Sequence, residues 1–422
     1  MIVLLTPFHM SIPTQTFLQV RQALLHKQEI ALIDVREENI FAQAHPLFAA
    51  NLSLGRITAQ ARSRIPRLDT PVVLYDNGEG WAQKAVQKFH QLGYTYVALL
   101  EGGLGGWKAS GGELFQDVNV PSKAFGELVA AQRHTPSLSA QEVRALLDTQ
   151  ADVVVLDVRR FDEYHTMSIP NGISVPGAEL VLRASTLAPD PATRIIVNCA
   201  GRTRSIIGAQ SLVNAGIDNP VFALRNGTIG WKLAGQMLDQ GASRRFPDVS
   251  DDQRVVASQQ ARSVADRAGV QRAYHTDVVQ LLAETSRTTY RFDVRIPQEY
   301  ALGHLPGFAS APGGQLVQET DVSMPVRGAR AVLADLDGVR ANMTASWLAQ
   351  MGWEVWVIDG VQAADLCESS VLTDTVPTNS HRYRRPYEGT DNPVEAMQAY
   401  LNWEYGLVAQ LERDGTHGFK VI

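Results

Sequence analysis

One stretch of this chain combines residue types and spacing that could carry out nucleophilic chemistry. In "NCAGRTRSIIGAQSL", Asn198 to Leu212, one of the two cysteines of the chain follows an apolar run and precedes a small, doubly basic loop. The loop is followed by an apolar helical pattern that begins near Ser205. A cysteine between a strand and a helix N-terminus, beside cations, is expected to have a lowered thiol pKa and to react as a thiolate.

The loop itself predicts an anion site. Small residues let backbone N–H groups converge on one point, and arginines add fixed positive charge. We therefore regard Cys199 as the candidate catalytic residue. The candidate cradle is Ala200, Gly201, Arg202, Thr203, Arg204 and Ser205. The alternative interpretation is that Cys199 is only a small buried apolar side chain, the common fate of a free cysteine.

The elements that position this loop occur three times along the chain. An apolar run that ends in Asp-Val-Arg begins each copy, with its aspartate at Asp34, Asp157 and Asp293. In every copy a second apolar run ends 42 residues later, at Asp76, Cys199 and Asp335. A glycine follows after 17 more residues, and a third apolar run ends in a glycine turn. Such regular spacing indicates a repeated structural unit.

Short apolar strands that alternate with helical patterns indicate βαβ units around a mainly parallel sheet. In the second copy, Ser139 and Glu142 form a candidate capping box before the first helix. We therefore predict an α/β protein with three tandem domains at 10–115, 136–241 and 270–372, and an extension at 373–422.

The extension contains a candidate helix capped at Asn392 with Pro393 in its first turn. We expect its apolar stripe to dock on a domain; the stripe is Val394, Met397, Leu401, Val408 and Leu411. The basic and aromatic stretch from His381 to Tyr387 is interpreted as a surface segment or a docking strap.

These residues resemble those of rhodanese-homology domains. The resemblance rests on the Asp-Val-Arg strand end, on "EYALGHLPG" and its looser counterpart "EYHTMSIPNGISVPG", and on the cysteine loop with its helix. It implies a sulfurtransferase in which Cys199 attacks the outer sulfur of a donor such as thiosulfate and holds a persulfide among the loop amides. Cyanide or a thiol would then accept the sulfur.

Loop length separates two chemistries of this fold. The related phosphatases resemble a Cys-x5-Arg pattern, with arginine six residues after the cysteine. Here that position is Ser205, and Arg204 is one residue closer. The shorter loop favours a sulfur-sized pocket, so a phosphatase or arsenate reductase is the less favoured interpretation.

The first and third copies depart from this pattern, because Asp76 and Asp335 stand where the second copy has its cysteine. An aspartate cannot carry a persulfide, so both copies are predicted to be inactive. We expect each carboxylate to occupy its own amide nest and to stabilise a scaffold. A retained small-molecule or partner site is the alternative.

Asp157 and Arg159 are predicted to support the loop rather than to react. Their counterparts recur in the two copies without cysteine, which indicates an ion pair that braces the strand end. Glu163 and Glu299 also recur between copies, and we predict that they too have a structural role. Cys367 lacks a basic loop and is expected to be a buried or inert thiol.

Composition excludes several classes of function. The net charge of −6 comes without blocks of like charge, so we predict neither a nucleic-acid nor a membrane partner. No histidine or cysteine motif for metal binding occurs, so no metal and no cofactor are predicted. Two separated cysteines and an N-terminus without a signal pattern favour the cytoplasm.

Two functions stay open at this point. The first is a thiosulfate sulfurtransferase that uses a small anionic sulfur donor and a thiol or cyanide acceptor. The second is a sulfur-relay or interaction protein whose Cys199 is loaded by a partner enzyme. Both need the same cradle, so the residues do not separate them.

Overall fold

The computed structural model describes residues 12–274, 278–367 and 381–422. The predicted boundaries at 10 and 372, and the first residues of the 373–422 extension, lie outside this part of the chain. Three sheets flanked by helices follow one another, and a helical region follows the third sheet. The α/β class expected from the three sequence copies is confirmed.

The first unit alternates short apolar strands with amphipathic helices. Its elements in chain order are β1 (Thr14–Gln15), α1 (Phe17–Leu25), β2 (Ile30–Asp34), α2 (Glu38–Phe41), β3 (Ala50–Asn51), α3 (Ile57–Arg64), β4 (Val72–Tyr75), α4 (Trp81–Gln91), β5 (Val97–Leu100) and α5 (Gly103–Ala109). A connecting helix, α6 (Val120–Arg133), leads to the second unit.

The second unit carries the cysteine loop. Its elements are β6 (Ser137–Leu138), α7 (Ala140–Asp148), β7 (Val153–Asp157), α8 (Phe161–Thr166), β8 (Ile173–Ser174), a 3₁₀ turn (Gly177–Glu179), α9 (Leu180–Leu187), β9 (Arg194–Asn198), α10 (Thr203–Ala215), β10 (Val221–Leu224) and α11 (Gly227–Leu233). The predicted capping box is present, because the side chains of Ser139 and Glu142 each accept a hydrogen bond from the other's backbone N–H. A polar helix, α12 (Asp251–Arg267), leads to the third unit.

The third unit repeats the pattern of the second. Its elements are β11 (Gln271–Tyr274), α13 (Val278–Ala283), β12 (Thr289–Asp293), α14 (Pro297–Leu302), β13 (Ala309–Ser310), α15 (Gly313–Gln318), α16 (Thr320–Ser323), β14 (Val326–Arg327), β15 (Arg330–Ala334), α17 (Arg340–Gln350), β16 (Glu354–Asp359) and a 3₁₀ turn (Ala363–Asp365). Two tail helices follow, α18 (Val394–Tyr405) and α19 (Leu407–Asp414).

The three sheets share one strand order. The orders are β1-β5-β4-β2, β6-β10-β9-β7 and β11-β16-β15-β12, and β3, β8 and β13 pair with the last strand of each. These pairs are all parallel. The strands β4, β9 and β15 are therefore central, and their carboxyl ends lie where parallel sheets bind ligands. Cys199 follows β9 and so stands at this edge.

The units are packed into one body rather than strung along the chain. Strand β14 pairs antiparallel with β2 of the first sheet, with Val326 opposite Ala31. One apolar core joins residues of the first and third units with the tail residues Leu407, Leu411 and Phe419.

The tail departs in part from its prediction. It forms two helices that meet at Gly406 instead of one, and the first begins at Val394 with Pro393 as its cap. Met397, Leu401 and Leu411 are buried as expected, but Val394 is 57% exposed. Val394 lies in the first turn, before the helix reaches the surface that buries Met397 and Leu401. Within the described residues, no helix has the length and apolar character needed to cross a bilayer.

Candidate active site

The cysteine loop is held between β9 and α10. Cys199 is 2% exposed, and its thiol donates a hydrogen bond to Ser205 Oγ at 3.4 Å. The carbonyl of Cys199 accepts from the Thr228 N–H at 2.9 Å. Gly227 makes this approach possible: its φ is +53°, and an added Cβ would lie 2.3 Å from the Cys199 carbonyl oxygen.

Backbone N–H groups around the thiol are left without partners inside the protein. Among the described residues, the N–H groups of residues 200–204 donate to no protein oxygen. The Ser205 N–H points at the sulfur and, with its hydroxyl, lowers the thiol pKa. The loop is thus an open nest of donors around one sulfur atom.

The first and third copies show what fills such a nest when no cysteine is present. The Asp76 carboxylate accepts from the N–H groups of Gly78 at 2.9 Å, Trp81 at 2.6 Å and Ala82 at 2.9 Å. These donors correspond in the repeat to Gly201, Arg204 and Ser205. The carboxylate therefore satisfies the equivalents of two amides that the cysteine copy leaves open and of the one that points at the sulfur.

The third copy uses the same device. The Asp335 carboxylate accepts from the N–H groups of Gly338 at 2.9 Å and Ala341 at 2.8 Å. Burial and the neighbouring Asp337 raise the pKa of Asp335 well above its ordinary value. Both carboxylates thus occupy their nests, as the sequence predicts.

The two loop arginines have different surroundings. Arg202 donates through Nε and Nη2 to Glu127 of α6, and through Nη1 to Asn226 at 3.2 Å and to the Tyr405 hydroxyl at 2.7 Å. Arg204 donates through Nη1 and Nη2 to Glu163, both at 2.8 Å. Burial raises the pKa of Glu163, but Arg204, Arg159 and Arg160 together lower it more, to about 2. Glu163 therefore holds Arg204 as a charged group beside the loop, and the third copy repeats the pair as Arg340 and Glu299.

The thiol pKa differs from the expectation. Burial raises the pKa of Cys199 above its ordinary value, although Arg204 and Ser205 lower it. The expectation of a lowered pKa is wrong for the closed pocket, because bulk water is excluded and each loop cation already has a carboxylate partner. Opening the pocket to water removes this cost of burial.

Asp157 and Arg159 lie behind the loop. Arg159 donates to both oxygens of Asp157, at 2.9 and 2.7 Å, and to the Met167 carbonyl at 2.6 Å. Asn198, the residue before Cys199, donates to Asp157 at 2.7 Å. Equivalent pairs stand at Asp34 and Arg36 and at Asp293 and Arg295. This network fixes the end of β9 and so the position of the cysteine.

Residues from outside the second unit cover the thiol. A cavity of about 20 Å³ is lined by residues 199–204 together with Lys123 of α6, Gln318 of α15, and Tyr387, Tyr400 and Glu404 of the tail. Glu404 is 1% exposed, and its Oε1 accepts from the Tyr400 hydroxyl at 2.8 Å. Burial raises the pKa of Glu404 to about 7, against the lowering effect of Lys123. The site is therefore composite, with walls from the connecting helix, the third unit and the tail.

Sequence reasoning missed this cover. Lys123, Gln318, Tyr400 and Glu404 lie in ordinary helical patterns and belong to no motif. The stretch from His381 to Tyr387 was the one signal, and it does act as a strap: the Tyr383 hydroxyl donates to Asp117 at 3.2 Å, and Tyr387 lines the cysteine cavity. Cys367 is exposed rather than buried, with its thiol donating to the His304 carbonyl at 3.2 Å, because it lies after the last sheet strand at the surface.

A second, larger cavity adjoins the first. It has a volume of about 1040 Å³ and shares Arg204, Gln318 and Tyr387 with the cysteine cavity. Its remaining walls come from all three units and the tail, and they carry many arginine and carboxylate side chains. Cys199 itself does not line this larger cavity, and the two cavities meet at these three shared residues.

Comparisons with known proteins agree with this geometry. The family model described as the rhodanese-like domain matches residues 18–110 and 139–234. The crystal structure of a thiosulfate sulfurtransferase from Pseudomonas aeruginosa is 52% identical, with a TM-score of 0.95, and the match covers 97% of this chain and 100% of that one.

Two curated relatives match smaller parts of the chain. The thiosulfate sulfurtransferase of Azotobacter vinelandii is 25% identical over 206 residues, 44% of this chain and 74% of that protein. A putative thiosulfate sulfurtransferase of Mycobacterium bovis is 35% identical over 105 residues, 24% of this chain and 34% of that protein. The resemblance stated from the sequence is confirmed: this chain is a sulfurtransferase of the rhodanese family.

Proposed function

We propose that this protein is a thiosulfate sulfurtransferase that carries sulfur as a persulfide on Cys199. The observation that carries the proposal is the contrast between copies: carboxylates fill the amide nests of the first and third units, whereas Cys199 faces an open one. We infer that residues 136–241 form the catalytic domain, and that 10–115 and 270–372 are inactive scaffolds.

The first half-reaction forms one sulfur–sulfur bond and breaks another. The Cys199 thiolate attacks the outer sulfur of thiosulfate, the bond to the sulfonate sulfur breaks, and sulfite leaves with that electron pair. The N–H groups of residues 200–205 stabilise the negative charge on the persulfide. The positive charge of Arg204 favours both the thiolate and the anionic donor.

The second half-reaction restores the thiolate. Cyanide attacks the outer sulfur of the persulfide and leaves as thiocyanate, or a thiolate attacks it and leaves as a new persulfide. The cysteine cavity suits the intermediate, because about 20 Å³ holds roughly one water-sized group and so one added sulfur atom. Thiosulfate, with two sulfurs and three oxygens, needs more room.

The tail must therefore move when the donor enters. We infer that Tyr400 and Glu404 are the cavity-lining residues that move, because they belong to a separate segment packed over the loop. The adjoining cavity supplies space once this wall shifts. We infer an open state that admits the donor and a closed state that shields the persulfide from water and from stray thiols.

Intact-protein mass spectrometry after brief thiosulfate treatment tests the proposal. We expect a reducible gain of about 32 Da, one sulfur atom, in wild type and in Cys367→Ser but not in Cys199→Ser. Cys367→Ser is the matched control because it removes the other thiol, which is exposed. No gain with thiosulfate, but a gain from a persulfide-carrying partner protein, would favour the relay function instead.

The free thiols support a proposal about the compartment. Both cysteines are free, and a persulfide needs a reduced thiol, so we propose a reducing compartment, the cytoplasm.

A further inference from the structure

Lys123 places a cation in the cysteine cavity from outside the catalytic unit. It lies on α6, between the two segments that match the rhodanese-like family model. The residue is 2% exposed, and its side chain lines the same small cavity as Cys199. The sequence assigns it no role, because α6 reads as a connecting helix.

Arg202 has few donors left for a substrate. A guanidinium carries five N–H groups. Arg202 uses four of them, on Glu127, Asn226 and Tyr405. It therefore holds the loop to α6 and to the tail.

Lys123 and Arg204 keep free donors. Arg204 spends two N–H groups on Glu163, which leaves three. Lys123 donates one hydrogen bond among the described residues, from Nζ to Asp117 Oδ1 at 2.7 Å, which leaves two N–H groups. These two cations are the ones that can bind anionic oxygens in the cavity.

The surroundings of Lys123 hold it in place and keep it charged. Asp117 also accepts hydrogen bonds from the Val118 N–H at 2.6 Å and from the Tyr383 hydroxyl. Burial lowers the pKa of Lys123, but Asp117 and neighbouring acidic groups raise it above its ordinary value. The ammonium lies 5.1 Å from the ring centroid of Tyr400 and 5.7 Å from that of Tyr387. These rings exclude water, which strengthens attraction to an anion.

A carboxyl group from the tail lines the same cavity as this cation. Glu404 Oε2 is buried without a hydrogen-bond partner in the described part of the chain. It lies beside the loop, 3.1 Å from where a Cβ on Gly201 would stand. An acid oxygen without a partner, next to the open nest, marks the position of an anionic group of the ligand.

We propose that Lys123, together with Arg204, binds the sulfonate oxygens of the sulfur donor and the sulfite that leaves, after Glu404 has moved aside. This inference rests on the proposed function. It makes the anion site a product of the assembled chain: Lys123 from the connecting helix, Arg204 from the loop and the displaced Glu404 from the tail.

The test compares Lys123→Met and Lys123→Arg with Lys232→Met. Lys232 is the matched control, because its Nζ donates to the Thr390 carbonyl at 2.7 Å and so ties the tail to the second unit without lining the cavity. For Lys123→Met we expect the KM for thiosulfate and the inhibition constant for sulfite to rise about 10-fold or more, with the KM for cyanide nearly unchanged. Lys123→Arg should stay within a few-fold of wild type, and Lys232→Met should leave sulfite inhibition unchanged.

A shift in sulfite inhibition that is equal in Lys123→Met and Lys232→Met would overturn the inference, because both would then act only by loosening the tail. Unchanged constants in Lys123→Met would overturn it as well. If Lys123→Met does not fold, since Asp117 loses its partner, the double variant Lys123→Met/Asp117→Asn removes both charges and gives the same readout.

Calorimetric titration with sulfite separates this inference from the proposed function. The titration uses Cys199→Ser, alone and combined with Lys123→Met, because neither protein can react. Sulfite binding that is weakened by Lys123→Met supports the anion site even if wild type takes no sulfur from thiosulfate. Equal binding in the two proteins refutes the anion site even if wild type turns over.

Discussion

Replacing Glu404 by glutamine should remove the pH dependence of tail closure. In the closed state, burial raises the pKa of Glu404 to about 7. In an open state, the carboxyl returns to about 4.3, the value of an exposed glutamate. Below about pH 4.3 it is protonated in both states and contributes no pH dependence. Between the two values only the closed state keeps the proton, so the stability of the closed state falls as the pH rises, and above about pH 7 the loss is complete.

The size of the effect follows from linkage. Each pH unit within this window costs the closed state about 1.4 kcal/mol. Between about pH 5.5 and pH 8 the closed state of wild type should therefore lose about 2 kcal/mol, or roughly 30-fold in the closed-to-open ratio. Glu404→Gln keeps the shape and one acceptor oxygen for the Tyr400 hydroxyl, and it carries no charge at any pH. The closed-to-open ratio of Glu404→Gln should therefore stay constant between about pH 5.5 and pH 8.

Alkylation of Cys199 measures the opening. A cavity of about 20 Å³ does not admit iodoacetamide, so the reaction rate reports the open fraction. Both proteins carry Cys367→Ser, which removes the exposed thiol. Thiol ionisation accelerates both equally, so the ratio of the wild-type rate to the Glu404→Gln rate should rise roughly 30-fold from about pH 5.5 to pH 8. A ratio that stays constant would refute the titration of Glu404 in the closed pocket.

Three further outcomes follow from the site. Gly201→Ala places a Cβ 3.1 Å from both Glu404 Oε2 and Tyr400 Cε1. This contact should weaken closure of the tail by about 1 kcal/mol and so speed alkylation of Cys199 about 5-fold. The control is Gly105→Ala, because no atom lies within 4 Å of the Cβ position of Gly105. Arg204→Lys keeps the positive charge but loses the two parallel hydrogen bonds to Glu163. Rapid-quench mass spectrometry should then show that persulfide formation is about 10-fold slower or more. An unchanged rate would mean that a positive charge alone is enough for persulfide formation. Asp76→Ala leaves three backbone N–H groups without an acceptor. In denaturant titration it should lower the unfolding free energy of the first unit by about 2–4 kcal/mol, with persulfide uptake by Cys199 intact. Asp76→Asn should lower the unfolding free energy by less.

The repeated fold could be predicted from the sequence because its signals are local. Each strand is a short apolar run, and each Asp-Val-Arg places an aspartate and an arginine two residues apart, within reach of each other at a strand end. The equal spacing of the three copies then gave the same strand order three times. The cysteine loop followed from the same logic, since Cys199 stands directly after the central strand.

The partners of the loop arginines could not be predicted in the same way. Glu127 lies 75 residues before Arg202, and no spacing rule connects a connecting helix with a loop in the next unit. The sequence showed two positive charges near the thiol but not that both were already paired. It therefore predicted a lowered thiol pKa, whereas burial under the tail raises it.

By itself, the sequence determined three α/β units, one cysteine in a basic loop and two carboxylates at the equivalent positions. Those properties depend on residues a few positions apart, or on a pattern that repeats, and such patterns are visible in one dimension. Only the tertiary structure decided what covers Cys199, because Lys123, Gln318 and Glu404 come from three segments separated by 86 residues or more. Packing of whole units brings those segments together, so the volume of the pocket, its charge and its closure are properties of the assembled chain.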